Sequence, residues 1–554
     1  MAKSIGKGIT IVVFLAIVLV LFSNIDYGKK VENTESSDLV VYGDNIGFTD
    51  GKNKPFIENG GIYIATDTIG KTIDDNIFYD KIATKVIITT YSDVIKLKVN
   101  EKKMSRNMEY VDIPNEAKLK DGQPYVDINS LKDIYHIKVE YNEATNTISI
   151  DKKDTSDIPI QYNRVKVYSD ISTDSNVIQT LYRDDTVTVY KDSLEHKRWY
   201  KVKTDTGKIG YIAKNNVDLA SVENSNNGAP EEEQNNNSNN QEKMTMFWQY
   251  GSDLNVLEKS PIEGVSIVSP TWYELKNANG EISSKFSQEY YNQAKSNGYK
   301  IWPIITNGID SANYSSDDTS TMLHSEYSRE QFIKNLVEIG KANKIDGINI
   351  DFEAMKDTDE DRMLFTQFIR EMAPILRKNN ITLSVDMYFV RYIDRKGVGA
   401  ASDYVVLMGY DYKGAWSNEA GSIAPISWVD NNVKSLIEDS EIPSHKIILG
   451  IPFYTRLWTE KEGEEKPTTK VYTMKNCQEF LDKYKVTPVW DADAGQNYAE
   501  YKEGALTYRL WIEDKDSVKE RVGIVNKYNL AGMTGWRKGF ETSDIWDVIH
   551  QNMK

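Results

Sequence analysis

Residues 346–353 read Asp-Gly-Ile-Asn-Ile-Asp-Phe-Glu and bring together side chains that can donate and accept protons. On a β-strand, successive side chains alternate between two faces, so Asn349, Asp351 and Glu353 share one face and the intervening apolar residues share the other. Carboxyl groups enclosed in a protein interior are costly to desolvate and acquire shifted pKa values, which is typical of catalytic acids and bases. The alternative is a half-exposed strand whose polar face is solvated.

The elements that must position this segment are predicted by eight apolar runs that alternate with amphipathic stretches. The runs span residues 245–248, 264–268, 299–305, 347–352, 382–387, 404–408, 446–453 and 532–536. A capping box formed by Ser328 and Gln331 predicts that one intervening helix begins there and ends near Lys344. Eight strands with intervening helices in about 310 residues predict a closed (β/α)8 barrel, whose interior would receive the polar face of 346–353. An open, doubly wound sheet is the alternative, but no GxGxxG pattern follows the first run.

Composition argues against several classes of function. The chain has 554 residues, a formal net charge of -16 and a pI near 5.1. This acidity argues against nucleic acid as a partner, because phosphate binding requires clustered Lys and Arg. The single Cys477 excludes an intrachain disulfide, and the five scattered histidines show no metal-ligand spacing. We therefore expect no metal and no cofactor.

The N-terminal residues predict export. Lys3 and Lys7 precede an apolar run over residues 9–22, which suits either a signal segment or a short membrane anchor within residues 1–25. The residues that follow form a poor cleavage site, which favours the anchor, and the basic N-terminal side predicts that the rest of the chain lies outside the cytoplasm. We expect an extracytoplasmic protein that is anchored to the membrane or secreted to the cell wall.

The chain before the predicted barrel divides into modules. Residues 38–151 alternate apolar and polar positions with a few short helical stretches, which predicts an α+β module. Residues 162–220 contain five short runs separated by turn residues, which predicts a small all-β barrel. Residues 221–243 are rich in Asn, Gln and Glu without apolar periodicity and predict a disordered linker. The barrel domain then spans residues 244–554.

Four segments of the predicted barrel resemble family 18 glycoside hydrolases, the chitinase-like enzymes. The 346–353 segment is similar to the family's DxxDxDxE signature, and residues 408–412, Met-Gly-Tyr-Asp-Tyr, are similar to its MxYD segment. Residues 449–456, Leu-Gly-Ile-Pro-Phe-Tyr-Thr-Arg, and residues 532–536, Gly-Met-Thr-Gly-Trp, resemble segments of its seventh and eighth strands. The resemblance covers nearly all of residues 244–554.

The resemblance implies hydrolysis of a glycosidic bond with retention of configuration, assisted by the substrate's own 2-acetamido group. It implies Glu353 as the general acid and then base, Asp351 as the acceptor of the acetamido N–H, and Tyr410 as the donor to the acetamido carbonyl. The further candidates for sugar contact are Trp536, Met408, Asp411, Tyr454 and Asn349.

Residue 349 departs from the family pattern, which has Asp at this position. We expect the Asn349 amide to donate a hydrogen bond to Asp351 and to hold it as a carboxylate, or else simply to fill the barrel. Asp346, on the opposite face of the strand, is expected to be structural. Trp458 and Trp490 are expected either to extend a substrate groove or to pack in a core.

The two modules before the barrel also resemble known families. Residues 55–64, Pro-Phe-Ile-Glu-Asn-Gly-Gly-Ile-Tyr-Ile, resemble a repeat of the copper amine oxidase N-terminal domain, although without a histidine cluster that would imply copper. The 162–220 module resembles a bacterial SH3 domain, which implies cell-wall binding or a passive spacer.

Two classes of function fit these observations. The first is hydrolysis of β-1,4 linkages in an N-acetylglucosamine polymer, with peptidoglycan favoured over chitin because residues 536–541 and Asn349 resemble the cell-wall and spore-cortex lytic branch of the family. The second is a lectin-like cell-wall-binding protein on an inactive barrel. Such relatives typically lose the catalytic glutamate, whereas Glu353, Asp351 and Tyr410 are all present here.

Overall fold

A computed structural model of the chain describes residues 40–42, 47–48, 53–143, 146–152, 156–190, 198–216, 243–253, 257–308, 316–390 and 392–554. The predicted N-terminal segment 1–25 and nearly all of the predicted linker 221–243 lie outside the described residues. No helix within the described ranges is long and apolar enough to cross a membrane. The chain forms two compact units. The first comprises residues 1–79, 97–103 and 112–234, and the second comprises residues 80–96, 104–111 and 235–554.

Short strands dominate the described residues up to 216. They are β1 (Val40–Tyr42), β2 (Gly47–Phe48), β3 (Phe56–Glu58), β4 (Gly61–Ala65), β5 (Phe78–Asp80), β6 (Lys85–Thr89), β7 (Val94–Lys98), β8 (Lys103–Arg106), β9 (Glu109–Asp112), β10 (Lys118–Lys120), β11 (Gln123–Asp127), β12 (Ile137–Asn142), β13 (Thr147–Lys152), β14 (Ser156–Pro159), β15 (Val165–Tyr168), β16 (Val177–Leu181), β17 (Thr186–Val189), β18 (Trp199–Thr204) and β19 (Ile209–Ala213). Helix α1 (Thr66–Thr72) follows β4.

These strands form four sheets. Their strand orders are β12-β13-β1-β2, β10-β11-β4-β3, β5-β6-β7-β8-β9 and β14-β17-β18-β19-β15-β16. The five predicted strands of the SH3-like module correspond to β15 to β19, and β14 is an additional strand that pairs with β17. Alternating apolar residues of this sheet form one buried core, which includes Val167, Leu181, Tyr200 and Ile212.

The second unit contains the remaining strands. They are β20 (Met244–Gln249), β21 (Ile267–Leu275), β22 (Ile282–Ser284), β23 (Lys300–Ile301), β24 (Ile304–Thr306), β25 (Gly347–Asp351), β26 (Thr382–Met387), β27 (Tyr404–Met408), β28 (Ile447–Pro452), β29 (Tyr454–Lys461), β30 (Thr468–Thr473), β31 (Val489–Asp491), β32 (Gln496–Glu503), β33 (Leu506–Ile512) and β34 (Gly532–Trp536). Its helices are α2 (Gln288–Ser296), α3 (Ser316–His324), α4 (Glu326–Asn343), α5 (Asp359–Lys378), α6 (Arg395–Ala401), α7 (Ile426–Glu438), α8 (Met474–Tyr484), α9 (Lys515–Lys527) and α10 (Ile545–Asn552).

Parallel strands close the predicted barrel. The order β20-β34-β28-β27-β26-β25-β24-β21 is completed by pairing of β20 with β21, so the sheet has no free edge at this point. Strand β23 also pairs with β21 and occupies, with β24, the third position of the barrel. All eight predicted runs therefore supply barrel strands, and the predicted (β/α)8 fold is confirmed.

An additional sheet interrupts the barrel between β28 and α9. Its order is β30-β29-β33-β32-β31, and neighbouring strands are antiparallel where their register is defined. Helix α8 packs against it through Cys477 and Phe480, which join Leu457, Ala499 and Leu510 in a separate core. The eight-run pattern did not predict this sheet.

Helix α4 begins three residues earlier than the sequence predicts. Ser325, rather than Ser328, is the N-cap, and its hydroxyl accepts a hydrogen bond from the Ser328 backbone N–H at 3.2 Å. A helix begins at the residue whose side chain satisfies the free N–H groups of its first turn, and here Ser325 does so. The predicted end is correct, because Lys344 adopts a left-handed conformation that terminates the helix.

A buried ionic cluster joins residues 80–96 to barrel helices α4 and α5 within the second unit. Lys96 Nζ lies 2.5 Å from Glu326, 2.7 Å from Glu330 and 3.3 Å from Glu371. The Arg329 guanidinium lies 3.0 Å from Asp80 and 3.1 Å from Glu371. Except for Glu330, these side chains are almost completely buried. Each of these buried charges therefore has a partner of opposite sign, and removal of one partner would leave an uncompensated charge in the interior of the second unit.

Candidate active site

Strand β25 directs its polar residues into the barrel, as its alternation predicts. Asn349 and Asp351 are buried at the interior, and Ile348 and Ile350 are completely buried on the opposite face, towards the helices. Glu353 lies two residues beyond the strand, at the carboxyl end of the barrel, and its side chain is exposed. The segment therefore carries two enclosed polar groups and one accessible acid.

The candidate residues from the other strands lie at the same end of the barrel. Met408 ends β27, and Tyr410 and Asp411 follow it. Tyr454 begins β29, two residues after β28 ends, and Trp536 ends β34. Because parallel strands point the same way, their carboxyl ends bring these residues together with the β25 segment.

Asn349 is oriented by hydrogen bonds from three directions. The Trp248 indole N–H donates to Asn349 Oδ1 at 2.8 Å, while Asn349 Nδ2 donates to Asp386 Oδ1 at 2.6 Å and to Ser384 Oγ at 3.0 Å. The expected bond from Asn349 to Asp351 is absent among the described contacts of Asn349. Asp351 lies on the same strand, whereas Ser384 and Asp386 lie on the adjacent strand β26, where they face the amide directly. That expectation was wrong.

Asp351 is a buried carboxyl group without a protein donor at one oxygen. Its Oδ1 atom has no hydrogen-bond partner in the structure. Burial raises its pKa well above the usual range, and the carboxyl groups of Asp386 and then Glu353 raise it further. A buried acceptor that lacks a donor is suited to receive a hydrogen bond from a bound ligand.

Glu353 has the properties of a general acid. Although its side chain reaches solvent, the surrounding protein removes enough water to raise its pKa, and the Asp411 carboxylate adds to this shift. Asp411 in turn accepts a hydrogen bond from the Tyr454 hydroxyl at 2.6 Å. A carboxyl group whose pKa is raised remains protonated closer to neutral pH, where it can donate its proton.

Aromatic rings surround these carboxyl groups. The Trp248 ring is 6.0 Å from that of Trp536 and 6.4 Å from that of Tyr410. The Tyr410 ring is also 6.4 Å from that of Tyr388 and 6.2 Å from that of Tyr454. These distances join side chains of separate strands into one aromatic cluster, in which Trp248, Tyr410 and Tyr454 are buried and Trp536 and Tyr388 are partly accessible to a ligand.

Asn307 fixes the chain immediately after Glu353. Its side chain accepts a hydrogen bond from the Ala354 N–H at 3.1 Å and donates one to the Ala354 carbonyl at 3.0 Å. A further bond at 3.0 Å connects Asn307 to Thr319 of helix α3. The backbone that carries the candidate acid is therefore fixed from two elements.

The sequence analysis missed Trp248, Asn307, Asp386 and Tyr388. A detectable signal existed for Asp386, because it alternates with Ser384 on a predicted strand and therefore faces the barrel interior. Asp346, by contrast, accepts hydrogen bonds from Lys295 at 2.6 Å and from the Ile301 N–H at 2.8 Å, which is a structural role.

The two tryptophans after strand β28 differ in accessibility. Trp458 is completely buried, and its indole N–H donates to the Gly421 carbonyl, so it packs in a core. Trp490 is 42% exposed and remains available for contact with a ligand.

Comparison with known proteins gives three family matches. Residues 233–540 match the glycosyl hydrolases family 18, residues 41–150 match the copper amine oxidase N-terminal domain, and residues 163–218 match the bacterial SH3 domain. All three resemblances inferred from the sequence are therefore confirmed.

Individual relatives are distant. The chain is 26% identical over 290 residues to the uncharacterized glycosylase YvbX of Bacillus subtilis (strain 168), which covers 50% of this chain and 81% of that protein. It is 26% identical over 262 residues to a cortical fragment-lytic enzyme of Bacillus anthracis, which covers 45% of this chain and 59% of that enzyme. The chain thus spans less than two thirds of the length of the latter relative.

A solved structure supports the fold. The crystal structure of a chitinase from Chromobacterium violaceum ATCC 12472 aligns with a TM-score of 0.50 at 22% identity, covering 56% of this chain and 98% of that one. Since the family match also extends over more than half of the sequence, this chain belongs to the glycosyl hydrolases family 18 and is a glycosidase.

Proposed function

We propose that this protein hydrolyses β-1,4 linkages of an N-acetylglucosamine-containing polymer, with peptidoglycan as the substrate and Glu353 as the general acid and base. The observation that carries the proposal is the pairing of an accessible acid with a buried acceptor. Glu353 reaches solvent with a raised pKa, and Asp351 Oδ1 is buried without a partner on the same strand segment. The N–H of a 2-acetamido group would satisfy that oxygen.

The proposed reaction has two steps, and Glu353 donates a proton in the first and accepts one in the second. Glu353 donates its proton to the glycosidic oxygen while the acetamido carbonyl oxygen attacks the anomeric carbon and the bond to the leaving sugar breaks. The resulting cyclic oxazolinium ion is a cation, and the Asp351 carboxylate, which accepts a hydrogen bond from its N–H, balances that charge. Glu353, now a carboxylate, takes a proton from water as the water oxygen attacks the anomeric carbon and reopens the ring. Two inversions at one carbon give retention.

Three further residues have roles in this proposal. Tyr410 is buried between Trp248, Tyr388 and Tyr454, and burial raises the pKa of its hydroxyl well above the usual range. A hydroxyl that stays protonated can donate to the acetamido carbonyl. Trp536 would lie under the sugar ring at the cleavage site. Asp411 would contact the substrate or maintain the raised pKa of Glu353, and Met408 would line the pocket.

Peptidoglycan is favoured over chitin by two observations. One curated relative is named a cortical fragment-lytic enzyme, and the chain contains a match to the bacterial SH3 domain, for which we propose cell-wall binding. Chitin is the alternative, because another curated relative, at 24% identity, is the class V chitinase CHIT5 of Lotus japonicus. We also propose that the protein acts outside the cytoplasm. Lys3, Lys7 and the apolar run over residues 9–22 support this location.

The test is product analysis with the full chain on purified peptidoglycan and on chitin. We expect mass spectrometry to detect fragments with N-acetylglucosamine at the new reducing end from peptidoglycan, and NMR at early times to show that this end retains the β configuration. Glu353→Gln is the matched control and should give no products. An α configuration in the early product would exclude substrate assistance. If products were released from chitin and not from peptidoglycan, chitin would be the substrate.

A further inference from the structure

The orientation of the Asn349 amide follows from its neighbours. An indole N–H is only a donor, so the atom of Asn349 that faces Trp248 Nε1 at 2.8 Å must be the carbonyl oxygen. The NH2 group consequently faces Asp386 Oδ1 at 2.6 Å and Ser384 Oγ at 3.0 Å. Asn349 therefore fixes Asp386 in a defined position inside the barrel.

Strand register places Asp386 beside Asp351. Strands β25 and β26 are parallel, with Asn349 opposite Ser384 and Ile350 opposite Val385. Continuing this register by one residue places Asp351 opposite Asp386, on strands that are about 4.8 Å apart. Asn349, Ser384, Asp351 and Asp386 all point into the barrel and are nearly inaccessible to solvent, so the two carboxyl groups share one enclosed layer.

Two ionised carboxylates in such a layer are unfavourable. Burial raises the pKa of both groups well above the usual range, and the Asp386 carboxyl raises that of Asp351 further. The hydrogen bond from Asn349 opposes the shift only for Asp386. No described cation forms an ion pair with either group. Like charges in close proximity keep one group of such a pair protonated.

We propose that Asp386 is a positioning residue for catalysis: held by Asn349, it is the acidic partner of Asp351, and the two carboxyl groups hold one proton between them. The proposal rests on the proposed function. In the free enzyme the Asn349 amide favours charge on Asp386, so the proton resides on Asp351. When an acetamido N–H approaches Asp351 Oδ1, the charge is favoured there instead and the proton passes to Asp386. The net charge beneath the oxazolinium ion stays at about −1 throughout.

The surroundings of the pair contain other groups that titrate. Those that influence the electrostatics of the pair or of its immediate neighbours are Glu353, Tyr388, Tyr410, Asp411 and Tyr454. The charge of Glu353 raises the pKa of both Asp351 and Asp386, so the stability experiment is performed with Glu353→Gln as the parent. This choice also removes any dependence on turnover.

The first measurement is thermal unfolding of the full chain as a function of pH. A carboxyl group whose folded pKa lies above its unfolded value stabilises the protein at low pH, and that contribution is lost as the pH rises through the folded pKa. The Glu353→Gln parent should therefore lose Tm as the pH rises above the usual range of carboxyl pKa values, and Glu353→Gln/Asp386→Asn should lose several degrees less over the same pH range. Parallel Tm curves would overturn the shared proton.

The second measurement transfers the carboxyl group that partners Asp351 from residue 386 to residue 349. Asn349→Asp alone places a third carboxyl group beside Asp386 and should reduce kcat/KM by about 10-fold or more. The double variant Asn349→Asp/Asp386→Asn restores one partner for Asp351 and should be within about 3-fold of wild type. If the double variant is no more active than Asn349→Asp, residue 386 acts only in packing and the proposal fails.

Asp346→Asn is the matched control for these changes. Asp346 immediately precedes β25, at the end of the strand away from Asp351, where it contacts Lys295 and the Ile301 backbone, and the substitution should change kcat/KM by less than about 2-fold. If wild type hydrolyses neither peptidoglycan nor chitin, the proposed function fails. The Tm curves of the Glu353→Gln proteins still decide whether Asp351 and Asp386 hold one proton.

Discussion

Replacement of Lys96 by Met tests whether residues 80–96 stabilise the catalytic unit. The change keeps most of the side-chain volume and removes the charge that faces Glu326, Glu330 and Glu371 at 2.5, 2.7 and 3.3 Å. Glu326 and Glu371 are almost completely buried, so the variant leaves carboxylates in the interior without their principal cation. We expect a large loss of stability.

The size of that loss can be approached in two ways. Removing one partner of a buried ion pair typically costs about 3–5 kcal/mol. Burial alone would raise the pKa of Glu326, yet Lys96 and then Lys85 outweigh this effect and lower it from 4.5 to about 2. That decrease corresponds to roughly 3 kcal/mol of stabilisation of the charged form, to which Lys96 and Lys85 both contribute. With an unfolding entropy of about 2.1 cal/mol/K per residue over the second unit, a loss of about 3–5 kcal/mol should lower the Tm by about 4–7 °C.

The assay is calorimetric unfolding of the full chain at two pH values. Glu326 is stabilising while ionised, so its wild-type contribution is present above the unfolded pKa of about 4.5 and is lost as the pH falls towards 2. In Lys96→Met, protonation of Glu326 removes the unpaired negative charge from the interior. The Tm difference from wild type should therefore be smaller at about pH 5 than at about pH 8.

Lys276→Met is the control, because Lys276 pairs with Glu281 in the same unit but both side chains are more than half exposed. An exposed pair contributes at most about 1 kcal/mol, so this variant should lose little Tm. The reasoning is refuted if Lys96→Met loses no more Tm than Lys276→Met, or if its loss is independent of pH.

Two further predictions concern the candidate site. Asp411→Asn retains an acceptor for the Tyr454 hydroxyl and tolerates the left-handed backbone of residue 411, but it removes the charge beside Glu353. The pKa of Glu353 should fall and the basic limb of kcat/KM should move to lower pH, and an unchanged limb would show that Asp411 does not act on Glu353. Trp536→Ala, in the Glu353→Gln background, should weaken calorimetric binding of an N-acetylglucosamine oligomer by about 10-fold, or about 1.4 kcal/mol. If the two proteins bind the oligomer with equal affinity, Trp536 does not contact the bound sugar.

The barrel could be predicted because its signals are local. Strands β26, β27 and β34 begin and end at the predicted residues, since the pattern that indicates each of them lies within five or six consecutive residues. The start of helix α4 was predicted wrongly, because Ser325 and Ser328 are both plausible caps and only the backbone geometry distinguishes them. The sheet between β28 and α9 was missed because its strands are largely half-exposed and lack long apolar runs.

The contacts of the candidate site were less predictable than its residues. Alternation along β25 indicated that Asn349 and Asp351 face the same way, but the hydrogen-bond partner of Asn349 is Asp386, 37 residues further along the chain. The partner depends on which strand lies next to β25 and on its register, and neither is encoded locally. The same limit applies to Lys96, whose partner Glu326 is separated from it by 230 residues.

The central claim is that Glu353 supplies the proton to the leaving group, and the turnover of Glu353→Gln tests it most directly. The substitution is nearly isosteric and removes only the ionisable group, so folding and binding of the oligomer should be retained. Loss of general acid catalysis should lower kcat on peptidoglycan by about 10²–10⁴-fold, whereas Glu520→Gln, on the exposed face of α9, should match wild type. A Glu353→Gln protein that is folded and retains more than about a hundredth of the wild-type kcat would contradict the assignment.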